Sequence, residues 1–293
     1  GAKKNLLKTV AKVQFNNTWE LSAVPWLPVM DLVARHAANL AQMDIDGVML
    51  SWTLGSYPSP NLEIAKKFSD DPDASIEEVL NSLALERYGR AAVPYVRNAW
   101  TTFSTAFEEY PYDIRVVYTA PQQYGPSNLL FLKPTGYRAT MVGFPYDDLK
   151  GWSGPYPPET LISQFEKMAN NWKKGLKFME GAIEASENLS HKKLLEEDLN
   201  LAKAAYLHFQ SVGQQGRFIM ARDMWLESQK TDKVLKDQVR EILEQEKQTA
   251  IALLEVSRKD SRIGFEASNQ YYYVPQDLLE KVINCQFLIN ELD

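Results

Sequence analysis

The sequence has little of what metal centres and disulfides require. Its 293 residues include one cysteine, Cys285, and three widely separated histidines, His36, His191 and His208. One cysteine forms no internal disulfide, and without paired histidine spacing we predict no zinc site. Because Cys285 falls in an apolar-periodic stretch, we predict a buried, inert thiol. No phosphate-binding loop, dinucleotide fingerprint or nucleophile elbow is present, so we predict no cofactor.

Positive charge and long apolar runs are also scarce. A net charge of −6 and a pI near 5.3 leave no basic surplus to neutralise phosphates, so we predict no nucleic-acid partner. No uncharged apolar run approaches the ~20 residues that span a bilayer, so we predict no membrane partner. The compartment stays open, since a removed signal peptide would imply a periplasmic or secreted protein and its absence a cytoplasmic one.

Residues 10–62 alternate between strand and helix patterns. Val10 to Phe15 is β-like, Val29 to Met43 is amphipathic with helical spacing, and Val48 to Trp52 is a continuous apolar run typical of a buried parallel strand. Strand, helix and strand in this order predict a right-handed βαβ unit. We therefore divide the chain into residues 1–62, a βα segment, and residues 63–293, a helical domain.

The helical domain shows clear start and stop signals. Ser75 and Glu78 form a capping-box pattern, and Pro94 and Pro111 bracket the next helix. Further helices are predicted over about 233–258 and from near Pro275. A 4-3-4-3 spacing of small and apolar residues predicts a helix of ~35–40 residues and a long helical hairpin; its seam comprises Leu195, Leu199, Ala202, Tyr206, Phe209, Gly213, Gly216 and Met220. Gly213 and Gly216 indicate a close neighbour or a kink.

Residues 111–158 are rich in proline and aromatic side chains. They are too aromatic for a flexible linker, and an irregular segment of this length in a compact domain is usually functional. Within it we interpret Val116 to Tyr118 and Thr140 to Val142 as short strands.

Polar and aromatic residues follow both predicted strands. The string Asn16-Asn17-Thr18-Trp19-Glu20 follows the first, and Ser51 to Asn61 follow the second. In α/β barrels the functional residues project from these carboxyl ends of strands. Carboxylates and amides bind sugar hydroxyls, and flat rings cover the apolar faces of sugars. The predicted substrate-binding residues are Asn16, Asn17, Trp19, Trp52, Tyr57, Asn61, Tyr146 and Trp152.

The segments Phe15 to Glu20 and Leu50 to Gly55 resemble strands seven and eight of clan A glycoside hydrolases. The resemblance implies that Glu20 stands at the nucleophile position and that Trp52 floors the sugar subsite. Segments 118–123, 143–148 and 263–269 resemble the C-terminal helical region of glycosidase-like proteins of polysaccharide-degrading bacteria. The implied fold is mainly α: two terminal βα units of a TIM-like barrel followed by a large helical bundle.

A glycosidase needs a second carboxyl group, ~5–5.5 Å from the first in retaining enzymes and farther in inverting ones. In clan A this acid/base stands on strand four, and this sequence matches only strands seven and eight. The chain is then either the C-terminal portion of a larger enzyme or a barrel remnant on a helical protein. Within the chain, Asp147, Asp148 and Glu266 are candidate second acids because they lie in aromatic, non-helical segments; of these we select Asp148.

Three functions are compatible with the sequence. The first is a glycoside hydrolase, or its C-terminal portion, acting on an oligo- or polysaccharide. The second is a non-catalytic carbohydrate-binding protein, and the third is a helical scaffold that assembles through the 190–258 hairpin. Because two parallel strands alone have bare edges, we expect a helix, residues 111–158, a second copy of the chain or a missing N-terminal barrel portion to cover them.

Overall fold

The computed structural model describes residues 2–16, 19–43, 45–50, 57–141, 143–266 and 270–293. It is 64% helix and 3% strand, which confirms a mainly α protein. The helices are α1 Met30–Ala41, α2 Pro60–Asp70, α3 Ile76–Tyr88, α4 Val93–Phe107, α5 Ile114–Thr119, α6 Leu149–Trp152, α7 Pro158–Ala185, α8 Leu189–Glu227, α9 Lys233–Ser257 and α10 Pro275–Glu291. The strands are β1 Val10–Lys12, β2 Gly47–Met49, β3 Phe265–Glu266 and β4 Gln270–Tyr271.

The predicted strand–helix–strand unit is confirmed at the N-terminal end. β1 pairs with β2 in parallel, with Val10 opposite Gly47 and Lys12 opposite Met49, and α1 connects the two strands. A further backbone bond from the Val13 N–H to the Met49 carbonyl, 2.9 Å long, extends the pairing by one step.

This small sheet is exposed in the single chain. The side chains of Val10, Val48 and Met49 are 64%, 44% and 53% exposed, although parallel strands are normally buried on both faces. Covering by a second copy or by a missing barrel portion stays a prediction.

The helical domain is a row of packed helices in the order α4, α7, α8, α9 and α10. Helix α8 has 39 residues, as its seam predicted, and is about 58 Å long at 1.5 Å per residue. The seam faces α7 within the same chain. The Trp172 indole N–H donates to the Ala202 carbonyl at 3.0 Å, and a Cβ at Gly213 or Gly216 would meet α7 side chains. The glycines therefore serve close approach, and assembly through the 190–258 hairpin stays a prediction.

The helix ends follow local rules. Ser75 and Glu78 form the predicted capping box of α3, and Pro275 lies in the first turn of α10. Cys285 of α10 is buried, as predicted, and burial raises the pKa of its thiol to about 12.

The strands predicted within residues 111–158 are wrong. Val116 to Tyr118 lie in α5, because the Asp113 side chain accepts a hydrogen bond from the Arg115 N–H and caps a helical turn. Thr140 and Met141 are not in a strand, and Val142 lies outside the described residues. The segment otherwise consists of turns around the short helix α6 and one 3₁₀ turn, Gly125–Ser127.

One hydrophobic core runs through the molecule and crosses the boundary drawn at residue 62. It contains Phe15 and Leu21 from the β1–α1 loop, Trp172 from α7 and Leu288 from α10. None of the helices in the described ranges is long and apolar enough to cross a membrane.

Candidate functional site

The site predicted after β1 lies in the loop between Lys12 and Met30. Its turn at Trp19–Ser22 is clamped by Gln123, whose Oε1 accepts from the Ser22 N–H at 2.7 Å and from the Ser22 hydroxyl at 2.9 Å. The Gln123 amide also donates to the Trp19 carbonyl. This buried clamp fixes the backbone on both sides of Glu20.

Glu20 is half-buried beside a cavity of about 200 Å³. Burial raises the pKa of its carboxyl group above the usual range, partly offset by a backbone hydrogen bond. In the described part of the chain no other aspartate or glutamate lines this cavity. The lining residues are Gln14, Phe15, Asn16, Glu20, Leu27, Val29, Leu32, Val33, His36 and Phe107.

Asn61 and Asn16 join the loops that follow the two strands. The Asn61 amide donates to the carbonyls of Phe15, Asn16 and Leu27 at 2.8, 3.2 and 2.9 Å. Asn16 donates to the Tyr57 carbonyl at 2.8 Å and accepts from the Ser59 hydroxyl. Both asparagines are buried, and their hydrogen bonds hold the two loops together.

Tyr57 belongs to a second cluster that the sequence did not reveal. The Arg262 guanidinium lies 5.2 Å from the Trp26 ring and 5.7 Å from the Tyr57 ring, and Asp260 binds it bidentately at 2.8 and 2.7 Å. Burial raises the pKa of Tyr57, and Glu266 is among the acids near its phenol. The structure thus brings together a predicted binding residue, a candidate acid and a stacked arginine. The sequence did not predict this cluster, because Trp26 lies over two hundred residues from Asp260 and Arg262.

Two predicted site residues have structural roles instead. Trp152 is fully buried and its indole N–H donates to the Pro145 carbonyl at 2.8 Å, so its ring offers no face to a sugar. Asp148 caps α6 by accepting from the Gly151 N–H at 3.2 Å, and it also accepts from the Ala139 N–H at 3.0 Å. Asp148 lines a different cavity from Glu20, so the structure does not pair them.

Of the remaining predicted residues, two are described by the structure and two are not. Trp19 is half-buried with its ring edge-on to Tyr118 at 6.3 Å, and Tyr146 packs against Tyr137 near the surface. Asn17 and Trp52 lie outside the described residues.

Asp147, the neighbour of Asp148, forms a buried ion pair with Arg222 at 2.6 Å and accepts hydrogen bonds from Thr135. It therefore holds residues 135–147 against α8 rather than facing a ligand. Across the described ranges, no group of three or more His, Cys, Asp or Glu side chains is arranged to hold a metal ion.

A larger cleft of about 1090 Å³ lies between α7, α8 and α9. Lysines and glutamates alternate along it, Tyr206 is its aromatic residue, and Arg262 stands at one end. The opposite charges largely compensate one another, so the cleft has no strong preference for an anion or a cation.

Comparisons with protein-family models, curated proteins and solved structures find no match to this chain.

Proposed function

We propose that this chain is a barrel-type glycoside hydrolase, or the C-terminal portion of one, and that Glu20 supplies one carboxyl group to its sugar-cleaving site. The observation that carries the proposal is the parallel β1–α1–β2 unit with Glu20 clamped in the loop after β1. This is where α/β barrels place functional residues, and the sequence there resembles strand seven of clan A glycosidases.

The surroundings of Glu20 fit a carboxylate that must meet a developing positive charge. Burial disfavours its ionised form, as the raised pKa records. An oxocarbenium-like sugar stabilises that form by a charge interaction that is present only in the transition state. A raised pKa by itself is the pattern of a general acid, so the nucleophile role rests on the resemblance alone.

The second acid of the proposed enzyme would stand on strand four of the barrel, as the resemblance to clan A implies. The described cavity beside Glu20 has no second carboxylate, Asp148 caps a helix, and Glu266 does not line that cavity. The same observation favours a second candidate function, carbohydrate binding without cleavage by this chain.

Hydrolysis of a panel of aryl glycosides and polysaccharides tests the proposal, first on this chain and then on the longest polypeptide encoded by its reading frame. Glu20→Gln should lower turnover by at least about a hundredfold, and azide should restore activity to Glu20→Ala as a glycosyl azide product. Glu227→Gln, a change at an exposed carboxylate at the end of α8, is the matched control. Turnover that survives Glu20→Ala without azide contradicts the nucleophile role. Sugar binding with no turnover in either polypeptide favours the second candidate.

A further inference from the structure

Five aromatic rings form a continuous strip that runs from the surface into the core; four come from residues 111–158, and the fifth, Tyr272, follows β4. Ring centroids are 5.1 Å apart for Tyr137 and Tyr146, 6.2 Å for Tyr146 and Phe144, 5.2 Å for Phe144 and Tyr124, and 5.5 Å for Tyr124 and Tyr272. Tyr137 and Phe144 are 65% and 62% exposed, whereas Tyr124 and Tyr272 are buried. The aromatic strip thus has an open end and an anchored end.

The centre of the strip is held in an unusual backbone conformation. Tyr146 has a φ of +51°, in the left-handed region that a bulky residue rarely adopts. Its carbonyl accepts a 2.7 Å hydrogen bond from the buried Asn128 amide, which also donates to Gln215 at 2.8 Å. Residues held in such conformations cluster at ligand sites, where the surrounding structure fixes a side chain in advance.

The anchored end of the strip leads to the Glu20 loop. The Tyr272 hydroxyl lies 2.8 Å from the hydroxyl of Ser22, and Ser22 is held by the same Gln123 that clamps the turn around Glu20. Through these buried contacts the open rings are connected to the loop that carries the candidate acid.

We propose that the aromatic strip binds an oligosaccharide, with Tyr137, Tyr146 and Phe144 stacking against the apolar faces of successive sugar rings. The ring spacing is comparable with the length of one pyranose unit, and phenol hydroxyls beside flat faces suit a ligand with apolar faces and hydroxyl edges. The contact of Tyr272 with Ser22 connects the strip to the loop that the proposed function assigns to sugar cleavage, which favours a sugar over an apolar protein partner. The proposal names the ligand surface of the proposed function and rests on that function for the sugar class, but it does not require cleavage.

Isothermal titration calorimetry of the full chain against neutral hexasaccharides of glucose, xylose, mannose and N-acetylglucosamine tests the strip. Each of Tyr137→Ala and Phe144→Ala should weaken binding about 2- to 10-fold, the range expected for one aromatic contact. Tyr137→Phe should bind like the unmodified protein because it keeps the ring. Tyr112→Ala is the matched control, since Tyr112 is also 65% exposed but has no contact with the strip.

The proposal is overturned if no hexasaccharide binds, if the double variant Tyr137→Ala/Phe144→Ala binds as well as the unmodified protein, or if Tyr112→Ala weakens binding equally. A change in self-association or protein binding without any sugar binding also overturns it and indicates a protein partner. Turnover measured beside binding separates the two proposals. Binding through the strip without turnover removes only the cleavage proposal, whereas turnover that needs Glu20 but not the strip removes only this inference.

Discussion

The β1–β2 sheet and helix α8 differ in how much apolar surface they bury. In the sheet, Val10 and Met49 are mostly exposed, and the two strands share a few backbone bonds. In α8, apolar residues such as Leu195 and Phe209 are fully buried between neighbouring helices. Two-stranded sheets are marginal alone, whereas a buried helix gains free energy from every apolar side chain it covers.

This contrast indicates that the β1–α1–β2 unit depends on contacts outside its own strands. Its loops are fastened to the rest of the molecule by buried amides, those of Asn61 and Gln123. The Ala23 carbonyl further accepts a 2.8 Å bond from the Gly264 N–H, where a φ of +86° and the nearby Tyr273 leave no room for a side chain. Perturbing the bundle and the loop anchors separately therefore tests this contrast.

The largest effect should follow Lys281→Met in the bundle. Lys281 and Glu246 form a fully buried ion pair at 3.1 Å, and Ser211 donates to Glu246 at 2.5 Å. Removing the cation leaves a buried carboxylate without its counter-charge, so the free energy of unfolding in urea should fall by about 3–5 kcal/mol. The double variant Glu246→Leu/Lys281→Met, which removes both charges, should recover much of that loss. A single variant as stable as the unmodified protein would show that the pair is not buried.

The next effect concerns His208, which joins α8 to the 111–158 segment. Its Nδ1 donates to the Gln122 carbonyl at 2.6 Å, and its Nε2 accepts from the Tyr273 hydroxyl at 2.7 Å, so the fold requires the neutral ring. Desolvation lowers the pKa of His208 to about 4. Because the unfolded chain binds this proton more readily, the contribution to stability is complete above about pH 6.5 and is lost as pH falls towards 4, about 3 kcal/mol in total.

Urea unfolding between pH 7 and pH 4 measures this effect as the difference from His208→Gln. In His208→Gln, the free energy of unfolding should fall less between pH 7 and pH 4, by the part that His208 contributes in the unmodified protein. Tyr273→Phe should be less stable at every pH and keep the decline, because it leaves the imidazole in place. An unchanged decline in His208→Gln would assign the acid sensitivity to other groups.

Helical periodicity was enough to predict most of the bundle. The seam of α8 and the capping box at Ser75 depend on residues three or four positions apart, and such local patterns survive folding. The short strand predicted at Val116 was wrong because the cap by Asp113 outweighed the β-branched pair. Glu246, a charged residue buried on α9, is explained by its partners on two other helices, Lys281 and Ser211.

The candidate site was less predictable, because its partners are distant in sequence. The position of Glu20 after β1 followed from the strand pattern, but its clamp by Gln123 did not. Trp152 and Asp148 were selected for their chemistry, and tertiary packing gave them structural roles. Arg262, Trp26 and Tyr57 come together only in the folded chain, so no local pattern predicts them.

A smaller effect is expected from Asn61→Asp at the loop anchor. The amide of Asn61 faces three carbonyl oxygens, and a carboxylate there would replace the donor by a charged acceptor. We expect a loss of about 1–3 kcal/mol in the free energy of unfolding and faster amide hydrogen exchange in β1 and β2, with α8 unchanged. Asn39→Asp, at an exposed position on α1, should stay within about 0.5 kcal/mol. Equal losses in the two variants would contradict the anchoring role.

The smallest effect, and the one of opposite sign, is expected from Glu20→Gln. Burial raises the pKa of Glu20 in the folded chain, so the fold favours the protonated carboxyl group. That contribution is complete below the unfolded pKa and is lost as pH rises through the folded pKa. At pH 7 the ionised form of Glu20 therefore lowers the stability of the folded chain. The neutral amide of similar shape should raise the melting temperature by a few degrees. Near pH 4 the gain should shrink, and the exposed control Glu227→Gln should show neither change. A melting temperature that falls at pH 7 in Glu20→Gln would mean that contacts of the carboxylate outweigh its desolvation, and the N-terminal loop would then be held by charge as well as by its buried amides.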